Sequence, residues 1–143
     1  MTIIPHPDIL PGVYYPDKKK ILKEVASSYD LPVESLYEHT RKRTISEPRM
    51  ITLTICKYAL SLTNDDLGFE FMITAASVVH ARKTVRNLYL TDKAFKAKLD
   101  SILVRLFIWD SDRIRIIGQI LNPQMDKTKF KYWKKRRQQP INN

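Results

Sequence analysis

Phe95, Leu99, Ile102, Leu103 and Leu106 recur at steps of three and four residues, the spacing that gathers side chains on one face of an α-helix. A helix so patterned must bury that face against another element, so the stripe commits this part of the chain to helical packing. The same period returns in Ile21, Leu22, Val25, Ala26 and Tyr29, and again from Ile114 to Leu121. Met50, Ile51, Leu53, Ile55 and Tyr58 crowd a further segment so densely that it should be largely buried. No stretch alternates apolar with polar residues, and three glycines in 143 residues signal no hairpin. The predicted class is all-α.

Helix starts and stops are written locally. Leu31-Pro32 ends the first helix, because the residue before proline is pushed out of the α region. A short helix is expected over Val33 to Tyr37. His39 to Ser46 has no apolar period and reads as a basic loop, with Ser46 as the N-cap of the next helix and Glu47 and Pro48 in its first turn. Thr63-Asn-Asp-Asp66 signals a short helix toward Phe71, Thr74 caps a helix to about Leu90, and Thr91-Asp92 opens the helix that carries Phe95.

Four of the eight prolines, Pro5, Pro7, Pro11 and Pro16, fall near the N-terminus, where each fixes φ and removes a donor. Residues 1–19 are therefore expected to form an arm, residues 20–108 one domain, and residues 109–143 a helical extension with a basic tail. No run approaches the roughly 18 apolar residues of a membrane span, and no secretory pattern opens the chain. The single Cys56 cannot form an internal disulfide, so a reducing cytoplasm is the expected location.

A formal net charge of +10, from 25 Lys and Arg against 15 Asp and Glu, makes a polyanion the expected partner. Beyond Asp112 there are nine Lys and Arg and one acid, Asp126, with the densest cluster at Lys131-Tyr-Trp-Lys-Lys-Arg-Arg137. Tyr132-Trp133 in that cluster could stack on exposed bases, which keeps an RNA-binding reading open. Projected at 100° per residue, the segment from Thr74 turns Val78, Ala81, Val85, Leu88 and Tyr89 inward. Ala76, His80, Lys83 and Asn87 then lie on the opposite face, flanked by Ser77 and Thr84. That face is small, polar and basic, which suits a helix in the DNA major groove.

Val25-Ala-Ser-Ser-Tyr-Asp-Leu31, Thr40-Arg-Lys-Arg-Thr-Ile-Ser-Glu-Pro-Arg49, Lys57, Asp66-Leu-Gly68 and Val78-Val-His-Ala81 stand in the order and near the spacing of one family. Over roughly residues 20 to 106 the chain resembles the C-terminal DNA-binding domain, domain IV, of the bacterial replication initiator DnaA. The resemblance implies a Trp-repressor-like helical domain with a helix-turn-helix at about residues 63–90, in a free-standing relative. It implies double-stranded DNA as the partner, with Arg41 in the minor groove and Arg43, Arg49 and Lys57 on the backbone. His80 matches a histidine of the family's recognition helix.

The chain departs from the family at the front of that helix. The family pattern Gly-Gly-Arg-Asp-His-Thr-Thr is matched by Phe71-Met-Ile-Thr-Ala-Ala-Ser77, one residue shorter in the turn. Thr74 stands in place of the aspartate, Ala75 of the histidine, and Ala76 and Ser77 of the two threonines. Alanine has no hydrogen-bonding group and can touch only a thymine methyl, so weak or altered sequence specificity is expected. The DNA-contacting set expected from wheel and resemblance together is Arg41, Arg43, Arg49, Lys57, Thr74, Ser77, His80 and Lys83.

No Gly-rich loop ending in Gly-Lys-Ser/Thr occurs, so no nucleotide is expected. His6, His39 and His80 lack a paired carboxylate or metal-ligand spacing, so neither an enzyme nor a cofactor is expected, and Cys56 is assigned to the core. A second reading keeps the fold without reading DNA. Its contact would be the apolar turn 69–73, with Phe71, Met72 and Ile73 capturing a protein partner.

Overall fold

The computed structural model describes residues 16–122, and within them the only regular structure is helical. The elements are α1 (Lys18–Ser28), a 3-10 turn (Val33–Tyr37), α2 (Arg43–Leu60), α3 (Asn64–Phe71), α4 (Ala75–Thr91), α5 (Lys93–Leu106) and α6 (Asp110–Leu121). The all-α prediction holds. Nearly all of the N-terminal arm, and the Tyr132-Trp133 tail, lie outside the described residues. None of the described helices is long and apolar enough to cross a membrane.

α2 is the central rod, packed by α1, the 3-10 turn, α3, α4 and α6. Ile51 to Cys56 are buried without a break, which no amphipathic surface helix shows. Two threonines in that run would bury bare hydroxyls, and both avoid it by bonding back to the preceding turn. Thr52 Oγ1 donates to the Pro48 carbonyl and Thr54 Oγ1 to the Met50 carbonyl, each at 2.9 Å. Burial pushes the Cys56 thiol up to about 12, as befits a small core residue held away from water.

The starts of α3, α4 and α5 are as the sequence predicts, whereas α1 begins at Lys18, inside the expected arm 1–19. Asp17 caps α1 through Lys20 N at 2.8 Å. Thr63 and Asp66 form a reciprocal capping box at α3, Thr74 caps α4 through Ser77 N, and Asp92 caps α5 through Phe95 N. α1 ends at Ser28, with Asp30 in the left-handed region, two residues before Pro32.

The start of α2 corrects the sequence reading. Ser46 is not its cap, because the Lys42 carbonyl already accepts from Ile45 N at 3.0 Å and Ser46 N at 2.7 Å, and the helix begins at Arg43. Residues 43–49 are thus helix, and the basic loop is confined to His39–Lys42. Two contacts of Glu47, one local and one long-range, hold the extra turn. Arg43 Nε meets Glu47 Oε1 at 2.9 Å, and the Tyr29 hydroxyl donates to Glu47 Oε2 at 2.5 Å. Pro48 consequently sits inside the helix, and with no N–H it leaves the exposed Thr44 carbonyl without its helical donor.

α6 continues the same core. It packs on α2 and α4 and buries Ile116 and Ile120. Phe107 closes the core between α5 and α6, while Trp109 beside it is half-buried.

Candidate nucleic-acid interface

α3, its turn and α4 form the helix-turn-helix. α3 ends at Met72, which takes φ 57° and ψ 44°. In that left-handed region a residue with a Cβ is strained and glycine is the usual occupant. The turn is closed by Ile73 N donating to the Gly68 carbonyl at 2.9 Å and Met72 N to the Phe69 carbonyl at 3.3 Å. Gly68 is needed for a different reason. A Cβ there would stand 2.7 Å from the Ile73 carbonyl oxygen, so the close fold of the turn over α3 requires its absence.

Phe71 corrects the sequence reading of the apolar turn. It is 1% exposed and stacks on Tyr37, with ring centroids 4.8 Å apart and planes 14° apart, so it is a core anchor and no partner contact. The exposed members of the turn are Phe69, at 89%, and Met72, at 78%. Ile73 is half-buried against the core.

On α4 the wheel is reproduced. Val78, Ala81, Val85 and Tyr89 are buried, Leu88 packs against the core, and Ala76, His80, Lys83 and Asn87 are exposed. Arg82 is half-buried instead of free, with Nη1 donating to the Tyr58 hydroxyl at 3.0 Å and its guanidinium over that ring. It ties α4 to α2.

Between the start of α2 and the first turns of α4 runs a groove of about 590 Å³, lined by Arg41, Ser46, Arg49, Met50, Leu53, Ile73, Ala76, Ser77, His80 and Ala81. Four of the predicted contact residues, Arg41, Arg49, Ser77 and His80, therefore meet in one place. Thr74 does not line it, and Lys83 lies one turn beyond His80 on the same exposed face. Arg43 and Lys57 do not line it.

The polar groups differ in what they leave available. Arg41 and Lys83 are exposed. The Arg49 guanidinium donates to the Glu38 and Thr40 carbonyls, which pins the basic loop to α2, and burial lowers its pKa. Arg43 is engaged by two carboxylates, Glu47 and Asp92. The Thr74 hydroxyl accepts from Ser77 N at 3.0 Å and shares a second hydrogen bond, 2.9 Å long, with the Ser77 hydroxyl.

Sequence reasoning missed His39. Its Nε2–H donates to the Phe71 carbonyl at 3.0 Å, which joins the basic loop to the end of α3. No local pattern signals a contact between residues 32 positions apart. Among the described residues there is no cluster of three or more His, Cys, Asp or Glu able to hold a metal.

Residues 18–85 match the family model described as bacterial dnaA protein helix-turn-helix. The chain is similar to the chromosomal replication initiator protein DnaA of Flavobacterium psychrophilum, 34% identical over 87 residues, which are 60% of this chain and 18% of that protein. The DnaA of Bacteroides thetaiotaomicron is 31% identical over 83 residues, 57% of this chain and 18% of the relative. That of Dechloromonas aromatica is 27% identical over 97 residues, 67% and 21% respectively. The chain thus spans about a fifth of the length of the relatives it matches. Over residues 18–85, therefore, the chain is similar to the helix-turn-helix domain of bacterial DnaA.

Proposed function

We propose that the chain binds double-stranded DNA without catalysis, with α4 in the major groove and Arg41 reaching the adjacent minor groove. The observation that carries this reading is the groove that gathers Arg41, Arg49, Ser77 and His80 beside the exposed face of α4. A guanidinium on a short loop suits a narrow minor groove, which concentrates negative potential. Lys83, further along α4, is placed for a phosphate. Arg49 acts mainly by holding the loop in position. Sequence specificity is weak or altered, because the residues at the front of α4 offer little to hydrogen-bond a base edge.

Duplex titrations over a range of salt concentrations test this reading. Log affinity should fall linearly with log salt, and Arg41→Ala and Lys83→Ala should each reduce the slope by about one. Absence of duplex binding at low salt refutes it.

A second reading rests on Phe69 and Met72, which present large apolar side chains to solvent at the tip of the turn. They could engage a protein partner beside the DNA. Replacing either with serine should then abolish that capture and leave duplex binding intact.

A further inference from the structure

The first turn of α4 is chemically unusual for a base-reading element. Ala75 and Ala76 carry only methyl groups, and Ala76 is exposed into the groove. The two hydroxyls that flank them are turned on one another. Thr74 Oγ1 takes the Ser77 backbone N–H, and the Thr74 and Ser77 hydroxyls bond to each other. The groove wall next to Ala76 continues in apolar side chains, Ile73, Ala81 and Leu53.

A surface of this kind cannot pay the desolvation of a polar base edge. A base donor or acceptor pressed against the Ala75 and Ala76 methyls would lose water and gain no partner there, which costs about as much as a lost hydrogen bond. The one major-groove feature that gains from contact with methyl groups is the C5-methyl of a pyrimidine. Building on the duplex-binding reading, we infer that the front of α4 selects DNA by C5-methyl contact, with Ala76 as the specificity-determining residue.

The test changes the DNA and leaves the protein untouched. Affinity of the full chain is measured for an alternating adenine–thymine duplex and for the same duplex with uracil in place of thymine. The exchange removes only the C5-methyl, and phosphates and minor-groove acceptors are unchanged. The thymine duplex should bind at least about fourfold tighter, the value of one buried methyl. In Ala76→Gly, with its fold verified by circular dichroism, the ratio should shrink toward one. A guanine–cytosine duplex with and without 5-methylcytosine identifies the source of the methyl. Tightening there extends the selectivity to any C5-methyl, and no change confines it to thymine. Equal binding of thymine and uracil duplexes by the natural chain overturns the inference, as does a ratio unaltered in Ala76→Gly. Failure to bind either duplex at low salt instead removes the duplex-binding reading itself.

Discussion

Arg43, on the first turn of α2, reaches Asp92 between α4 and α5: its Nη2 lies 3.1 Å from Asp92 Oδ2 across 49 residues of sequence. The same guanidinium holds Glu47 Oε1 at 2.9 Å. A phosphate would have to compete with both carboxylates for its donors. The Phe95 backbone N–H, and then Arg43, hold the Asp92 carboxyl below the usual carboxylate range.

This network predicts an asymmetry among the cations. Asp92→Asn keeps an oxygen for the α5 cap and removes the charge that competes for Arg43. It should tighten duplex binding roughly threefold at low salt, the scale of one exposed ion pair, and the gain should vanish at high salt. Unchanged affinity would show that Arg43 does not approach the DNA. The pH sign follows from the depressed carboxyl. Its stabilisation is present above the unfolded value of 3.8 and is lost as pH falls through the lower folded value, so Asp92→Asn should flatten the acid limb of stability.

The turn between α3 and α4 should respond oppositely to two glycine exchanges. Gly68→Ala forces a Cβ against the Ile73 carbonyl oxygen and should cost about 1–3 kcal/mol. Met72→Gly relieves a left-handed conformation worth about 1–2 kcal/mol, partly offset by about 0.5–1 kcal/mol of unfolded-chain freedom. It should be neutral to slightly stabilising. Urea midpoints at unchanged m-value measure both.

Phe69 and Phe71 are two residues apart and should behave as different kinds of residue. Phe71→Ala removes a fully buried ring stacked on Tyr37 and should cost about 3–5 kcal/mol. Phe69→Ser should change stability by less than about 0.5 kcal/mol. Thermal melts of the two variants decide it, and similar losses would contradict the burial described.

What the sequence disclosed was what is local. Thr63, Thr74 and Asp92 cap their helices because side chain and backbone partner lie within three residues, and the inward face of α4 follows from period alone. The start of α2 was misread because its evidence is distant, in Tyr29 and Asp92. The groove residues split for the same reason. Arg41 and His80 could be named from pattern and resemblance, but that Arg49 grips the Glu38 and Thr40 carbonyls, and that Phe71 turns inward onto Tyr37, depends on tertiary contacts.

Cys56 makes a prediction at the alkaline end. Its folded value is raised by burial to about 12 from an ordinary 9.0. The contribution it makes is therefore complete below pH 9 and is lost as pH rises toward 12, since the unfolded thiol ionises first. Cys56→Ala should weaken the alkaline decline of stability, read from denaturation midpoints between pH 8 and about 10.5. An identical decline in both proteins would contradict the burial of the thiol.

The most direct test of the central claim is to map the amide resonances of the isotope-labelled chain as a duplex is added at low salt. Shifts should concentrate at Arg41 and Lys42, across Thr74 to Ser77, and at His80, Lys83 and Asn87, while the exposed residues of α1 and α5 stay in place. Shifts confined to Phe69 and Met72, or to the α1–α5 face, would contradict it.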